Sequence, residues 1–450
     1  MNRNKILLYM KFILPSAMGA FLFMCPIKYK GDFTIPIAVM AKFMQSALEH
    51  GIKHILFFTI LISCFLSLFW VFTKRFCPKL RILQNDLFKS LAEVKPVWLA
   101  ARLLGAIFAT IIYFDGSSVV NTMDTGGLVF YDLLPILFTI FFLAGVALPL
   151  LLNYGLLEFA GTLLIKVMRP VFGLPGRAAI DAITSWLGDG TIGVLLTSKQ
   201  YEEGYYTERE ACIIGTSFSL VSVTFSLVII DTVGLAHMFL PFYFTVSIIC
   251  IIVAIILPKL PPLRTKKNTF ITGEVAEGER GQVLNTGFKA ATENALKKVT
   301  HIDIVNSLWK DGVKNILEMW IAVLPVVMTI GTIALLIATH TPFFEILGTP
   351  FVPFLELLNI PEAGAAAQTL FAGFADMLLP AVMVADTVTS DLTRFVVAVV
   401  SVSQLIYLSE VGAMILASKI PIKLWELFVI FLERTIIVLP LAALFGHLFF

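Results

Sequence analysis

The chain has 450 residues, of which 58% are hydrophobic and 14% charged, with a formal net charge of +2. A soluble domain carries about 25% charged residues because its surface must face water. This composition excludes a water-soluble globular body and leaves apolar surface to meet lipid, while the near-neutral balance carries no signature of a nucleic-acid partner.

A membrane-crossing helix needs about 20 apolar residues. Runs of that kind fall at 6–25, 52–73, 96–114, 128–152, 211–231, 238–257, 313–338, 395–417 and 422–449, which predicts nine crossings. The first follows Met1 to Lys5 like a signal peptide, but Lys11 interrupts its apolar core, so it reads as a span. Lys and Arg gather on the cytoplasmic side of a membrane. Segment 74–95 holds Lys74, Arg75, Lys79, Arg81, Lys89 and Lys95, and segment 258–310 holds nine more, whereas loop 115–127 (DGSSVVNTMDTGG) has none. A cytoplasmic N-terminus in an inner membrane puts both basic segments inside and that loop outside. Lys28, Lys30 and Lys42 in the external 28–50 segment run against the rule. The stretch 258–310 opens with PKLPPLRTKK and reads as an exposed linker, helical towards its end, whose basic excess meets lipid headgroups rather than RNA.

Cys25, Cys64, Cys77, Cys212 and Cys250 show no paired or metal-ligand spacing and read as small hydrophobes. His50 and His54 are spaced as a helical zinc pair but lack a third ligand, so an interfacial helix face is the better reading. No HExxH, GxSxG, Walker or dinucleotide motif is present, no nucleophile is nominated, and no cofactor is implied.

Two stretches match in order. The first runs Leu174-Pro175, WLGDG (186–190), TER (207–209) and VSVTFSLVIIDTVG (221–234). The second runs Ile360-Pro361, GFADM (373–377), LTR (392–394) and VSVSQLIYLSEVG (400–412). Asp189 pairs with Asp376 at a separation of 187, and Ser222 with Ser401 and Asp231 with Glu410 at 179; the first copy is longer by KQYEEGYY. Segments 174–198 and 360–387 are apolar but broken, one by Gly188-Asp189-Gly190 and the other by Ala375-Asp376 before Pro380. A broken apolar segment reads as a re-entrant hairpin, tolerated where its irregular backbone is buried in protein or lines a cavity. If both were full crossings, the linker would fall outside, against its Lys and Arg content. The expected fold is therefore an all-α polytopic membrane protein of about nine transmembrane helices plus two re-entrant hairpins in an inverted repeat. Residues 1–127 form a scaffold, 128–234 the first repeat, 235–310 a connecting helix and linker, 311–418 the second repeat, and 419–450 a last helix. Inverted repeats with broken helices are the architecture of secondary transporters, whose substrate sites lie near the midplane.

The hairpin LPGRAAIDAITSWLGDGT, the polar loop with TER and the span TSFSLVSVTFSLVIIDTVG resemble the Gate, or nucleoside-recognition, domain of bacterial membrane proteins. The full chain resembles the YjiH-type members of that group, over roughly 130–450. Related modules occur in concentrative nucleoside transporters, spore-maturation membrane proteins and ferrous-iron permeases. The resemblance implies a transport unit of two hairpins and two interrupted helices that moves against a scaffold, often with a cation. The short hydroxyl-rich break and the hairpin tips differ from those of the nucleoside transporters, so the resemblance does not name the solute.

Gly188, Asp189, Gly190 and Thr191 at one tip and Asp376 at the other are candidate substrate-binding residues, with Ser222, Thr224, Ser401, Ser403 and Gln404 on the following spans. Ser226, Asp231 and Glu410 are secondary candidates. An acid inside the membrane is costly and marks function by default; the plainer reading is that each Asp caps a hairpin helix. Hydroxyls in membrane helices often bond the previous turn or a neighbouring helix. Glu433-Arg434 and Arg102 read as internal pairing or snorkelling, and Glu158, Lys166 and Arg169 as one face of an amphipathic interfacial helix. The function expected is secondary transport of a small polar solute, nucleoside-like or otherwise, coupled to Na+ or H+ and working by alternating access of the two-hairpin unit against spans one to three and six. The alternatives are a non-transporting subunit of a spore-maturation-like complex and an intramembrane enzyme. Partners are the solute and the bilayer, no nucleic acid is expected, and self-association stays open.

Overall fold

The computed structural model describes residues 3–25, 27–29, 32–49, 51–76, 85–94, 96–116, 119–187, 190–218, 221, 223–274, 287–300, 310 and 312–450. The described residues are almost entirely helical, because backbone groups in lipid have only each other as partners and a helix satisfies them locally. In chain order they form α1 (Arg3–Met24), a short antiparallel pair β1 (Ile27–Tyr29) and β2 (Asp32–Thr34), and α2 (Pro36–Ala47). Next come α3 (Ile52–Phe76), α4 (Asp86–Ala92), α5 (Pro96–Tyr113) and α6 (Gly126–Leu152). The first broken region holds α7 (Leu156–Phe172), α8 (Ala178–Leu187), α9 (Gly190–Glu202), α10 (Glu208–Ser217) and α11 (Val223–Thr232). Then follow α12 (Ala236–Lys259), α13 (Phe288–Val299), α14 (Gly312–His340), α15 (Phe343–Gly348) and α16 (Val352–Leu357). The second broken region holds α17 (Ala363–Thr369), α18 (Ala372–Ala375), α19 (Leu379–Thr387), α20 (Asp391–Gln404) and α21 (Val411–Ala417), and α22 (Leu424–Phe449) closes the chain.

Among the described residues, seven helices are long and apolar enough to cross a membrane: α1, α3, α5, α6, α12, α14 and α22. The chain is a multi-pass membrane protein. Two of the nine predicted crossings are not continuous helices. The run at 211–231 is divided between α10 and α11, and that at 395–417 between α20 and α21. In the second, Leu405 takes a left-handed φ of 61° and helical bonding stops. A hydropathy window sums side chains and is blind to backbone partners elsewhere in the fold, which is why both runs read as whole spans.

α6 and α14 share a further feature. Each contains a π-helical turn, Val129–Leu133 and Met319–Val323, which leads into Leu-Pro. Proline has no N–H and its ring crowds the carbonyl four residues back, so a wider turn relieves the clash. Between α5 and α14 the backbones touch: a Cβ on Gly105 would sit 2.4 Å from the Pro325 carbonyl oxygen. Beside it the Thr329 hydroxyl donates to Ala101 O at 2.5 Å, and that of Ser63 to Ile321 O at 2.6 Å. Small residues and hydroxyls are how membrane helices approach closely without a hydrophobic drive.

The polar segments sort to two ends of the bundle. At one, Lys266 pairs with Glu426 (2.9 Å), Arg177 with Glu158 (3.0 Å), Lys199 with Glu318 (2.5 Å), and Lys298 Nζ donates to the Tyr205 hydroxyl (2.5 Å). At the other, His54 meets Tyr113 (2.6 Å), the Thr389 amide donates to Glu362 (2.9 Å), and His447 lies 2.8 Å from Leu358 O.

Candidate functional site

The second broken region is bound together by its irregular backbone. The amides of Leu408 and Ser409, in the gap between α20 and α21, donate to Phe374 O (2.8 Å) and Ala375 O (2.9 Å) at the end of α18. One break therefore supplies the partners the other lacks. Side chains of α20 reinforce the joint. The Ser401 hydroxyl donates to Met377 O, and Gln404 Nε2 donates to Leu370 O (2.9 Å) and Thr435 Oγ1 (2.8 Å). Asp376 stands between α18 and α19, where its Oδ1 accepts from the Leu378 amide at 2.8 Å and caps the start of α19. It keeps partial exposure, and the Ser409 side chain lies beside its carboxylate.

Arg434, in the middle of α22, is fully buried. Its Nε and Nη2 donate to Ser403 O at 3.1 and 2.7 Å, and its Nη1 to Thr216 O at 3.0 Å. Thr216 and Ser403 are the penultimate residues of α10 and α20. The C-terminal end of a helix carries unsatisfied carbonyls and partial negative charge, so one guanidinium stabilises both interrupted helices where they stop.

A second buried network serves α8 and α9. The Asp181 carboxylate is 1% exposed and accepts from Gln200 Nε2 (2.6 Å), Thr197 Oγ1 (2.9 Å) and the Tyr206 hydroxyl (3.1 Å). It ties the two arms on either side of 188–189 to the loop that enters α10. That loop ends in a capping box: the Glu210 amide donates to Thr207 Oγ1, and the Thr207 amide to Glu210.

Asp376, Ser401 and Gln404 are thus brought together at one joint. Gly190 approaches it from the other broken region, where a Cβ would meet Val411 of α21 at 3.5 Å. Thr191 is fully buried on α9. Ser403 takes part through its carbonyl, and Ser226 is buried on α11 with no hydrogen-bond partner for its hydroxyl among the described residues. Glu410 opens α21, whereas Asp231 is exposed at the far end of α11, away from the joint. Gly188, Asp189 and Ser222 lie outside the described residues, as does the side chain of Thr224.

The matched serine motifs do not occupy matched positions. VSVS at 400–403 sits in the last turns of α20, before its break, whereas Val223 and Thr224 of VSVT begin α11, after the other break. TER and LTR differ likewise: Thr207 is the cap residue of α10, but Thr393 lies inside α20, whose cap is Ser390. The helix ends that Arg434 joins are the better landmarks.

Arg434, Asp181, Ser409 and Thr435 were not among the sequence candidates. For Asp181 the signal was an acid in an apolar segment, and for Arg434 a cation in mid-span. Chemically, the joint offers carbonyls, amides, hydroxyls and one carboxylate, a set that hydrogen-bonds a polar solute or coordinates a cation. Among the described residues no group of His, Cys, Asp and Glu is arranged to hold a metal ion.

A family profile described as "Gate: Nucleoside recognition" matches residues 134–236, from within α6 past the end of α11. The chain is 45% identical over 449 residues to an uncharacterized protein of Alkalihalophilus pseudofirmus, covering 98% of this chain and 95% of that protein. No solved structure matches the chain.

Proposed function

The chain belongs to the same family as the Alkalihalophilus protein and carries a Gate module, and from that premise we propose that it is a secondary transporter of a small polar solute. The observation that carries the reading is the joint itself, in which the irregular backbone around Asp376 and that between α20 and α21 meet inside a bundle of apolar helices. Backbone of that kind survives in a membrane only where protein buries it or where it lines a cavity, and transporters place their sites there.

The two broken segments are read as re-entrant hairpins of an inverted repeat, the first entering from the cytoplasm and the second from outside. Three pairings support the repeat: the π turns of α6 and α14, the breaks after α10 and α20, and a close glycine contact between each hairpin segment and a helix that precedes it. A Cβ on Gly176 would meet Gly161 O of α7 at 2.0 Å, and one on Gly348 would meet Ala367 O of α17 at 2.1 Å. The N-terminus is cytoplasmic and the membrane is the inner one in this reading, since the end rich in ion pairs contains both basic segments. The solute binds between the tips (188–191 and Asp376) and the interrupted helices. Ser401 and Gln404 hold the joint closed and exchange those bonds for the solute when it opens. Asp376 accepts a solute hydroxyl or amine, or carries the coupling Na+ or H+.

Proteoliposomes are the direct test. The purified chain is expected to accumulate one class among nucleosides, amino acids, dipeptides and organic acids, and Asp376→Asn is expected to lower uptake at least tenfold while the protein stays folded. Uptake indistinguishable from empty liposomes for every class, by protein with an intact melting transition, would leave the non-transporting subunit as the surviving reading. Single cysteines at 189 and 376 are expected to label from opposite sides.

A further inference from the structure

A cleft lies away from the joint, at the end rich in ion pairs. It measures about 1290 Å³ and lies between α7, the turn 173–177, the loop 204–210 and the segments around Asn268 and Asn294. Five cations and two acids line it. Both acids are engaged: Glu158 by Arg177 at 3.0 Å and Glu210 by Arg169 at 3.1 Å. Lys166 and Lys297 are exposed and form no ion pair among the described residues. Arg209 spends Nη2 on Pro258 O at 3.2 Å, while its Nε is buried without a partner. Among the described residues, three positive charges therefore have no acidic partner in a concave site, with the amides of Asn268 and Asn294 beside them.

The same helix has a second face. Leu163, Val167 and Val171 recur every four residues and are 37%, 52% and 42% exposed. Residues 158, 161, 162, 165, 169 and 172 point instead into the cleft. α7 thus separates a cationic hollow from an apolar stripe, the arrangement of a helix lying in the membrane interface.

We infer that the cleft binds the phosphate of an anionic phospholipid, whose acyl chain lies along Leu163, Val167 and Val171. A phosphate accepts several charge-assisted hydrogen bonds at once, which suits Lys166 and Lys297, with the charge of Arg209 in the same lining. The stripe favours a lipid over a soluble phosphate compound, because a soluble ligand leaves it uncovered. Basic hollows between helices on the cytoplasmic side are where anionic headgroups settle. Bound there, the lipid bridges α7, α13 and the loop that caps α10, and steadies the entry to the first interrupted helix.

The test uses the full-length protein in neutral detergent, titrated with dioleoyl-phosphatidylglycerol, dioleoyl-phosphatidylcholine or inorganic phosphate and read by native mass spectrometry and melting temperature. Phosphatidylglycerol is expected to bind and raise the melting temperature, and phosphatidylcholine to do neither. The double variant Lys166→Gln/Lys297→Gln is expected to bind phosphatidylglycerol about thirtyfold more weakly, two cations at the usual value for an anionic surface. Both lysines are exposed, so its lipid-free melting temperature should equal the parent's. Val167→Asn is expected to weaken lipid binding without altering the response to inorganic phosphate. Equal binding of the two lipids, an unaffected double variant, or protection by inorganic phosphate equal to that by the lipid would each overturn the assignment.

Discussion

Replacing Arg434 with Met tests the idea that one guanidinium closes both interrupted helices. Met approximates its length and suits the surroundings, so the change removes three hydrogen bonds to Thr216 O and Ser403 O and little packing. Hydrogen bonds with a charged partner contribute about 1.5–3 kcal/mol each, and a carbonyl left bare in a dry interior costs about 1–3 kcal/mol. Relief from burying the cation offsets part of this, since a buried charge carries a penalty of several kcal/mol of its own. The net loss expected is about 3–5 kcal/mol, the range found when one member of a buried charged network is removed. A chain of this size shifts its Tm by roughly 1–2 °C per kcal/mol, so a fall of about 3–10 °C is expected. Cys212 and Cys250 are buried, and a thiol-reactive dye therefore reports the transition in detergent. Arg434→Lys should fall in between, because an ammonium keeps the charge but lacks the planar fork that reaches both carbonyls. A Met variant melting within about 1 °C of the parent would refute the pinning role.

Gly105→Ala should cost about 1–3 kcal/mol, as overpacking does, because its Cβ meets backbone at Pro325 rather than a movable side chain. Gly364→Ala, with nothing within 4 Å of its Cβ, is the control and should be neutral or slightly stabilising, by up to about 1 kcal/mol; equal effects in the two melts would disprove the contact argument. Asp181→Leu strands three donors (Thr197, Gln200 and Tyr206) and should cost about 3–5 kcal/mol. Asp181→Asn should cost nearer 1 kcal/mol, because the Thr and Tyr hydroxyls can rotate to accept from the new amide; a loss as large as that of Leu would mean the charge itself is required.

Apolar run length located every one of the seven long helices, since a bilayer's thickness is written directly into composition. It also located both interrupted helices, but as intact spans, because what ends α20 at Gln404 is the pairing of Leu408 and Ser409 with Phe374 and Ala375 some thirty residues earlier. Asp376 was readable as an acid where acids are costly, and the structure gives it the capping bond that the plainer alternative required. Ser401 and Gln404 were readable as polar side chains on a membrane helix, but not their partners, since Met377 and Leu370 accept through carbonyls that are invisible in a string of side chains. The serine motifs misled for the same reason. Similar letters recur on opposite sides of the two breaks, while the helix ends that meet one arginine do so through the backbone carbonyls of Thr216 and Ser403.

Those contacts also redraw which helices should move together. α14 belongs by sequence to the second repeat, yet its closest approach is to α5, backbone on backbone at Gly105 and Pro325. α12, grouped by the sequence with the scaffold, packs instead on α20 and α22. Arg434 then binds α22 to the ends of α10 and α20. The bonded set is therefore α10, α12, α20 and α22 with the second tip, and the opposing set is α3, α5 and α14. The sets meet where a Cβ on Gly331 of α14 would sit 3.2 Å from the carbonyl oxygen of Ser409. If access alternates by sliding at that seam, a disulfide between Gly331→Cys and Ser409→Cys should abolish uptake and release it on reduction. One between Ala101→Cys and Thr329→Cys joins helices already fixed to each other and should leave uptake intact. Arrest by the second cross-link but not the first would show that the seam runs between α5 and α14, and that the second repeat moves as the sequence divides it rather than as the contacts do.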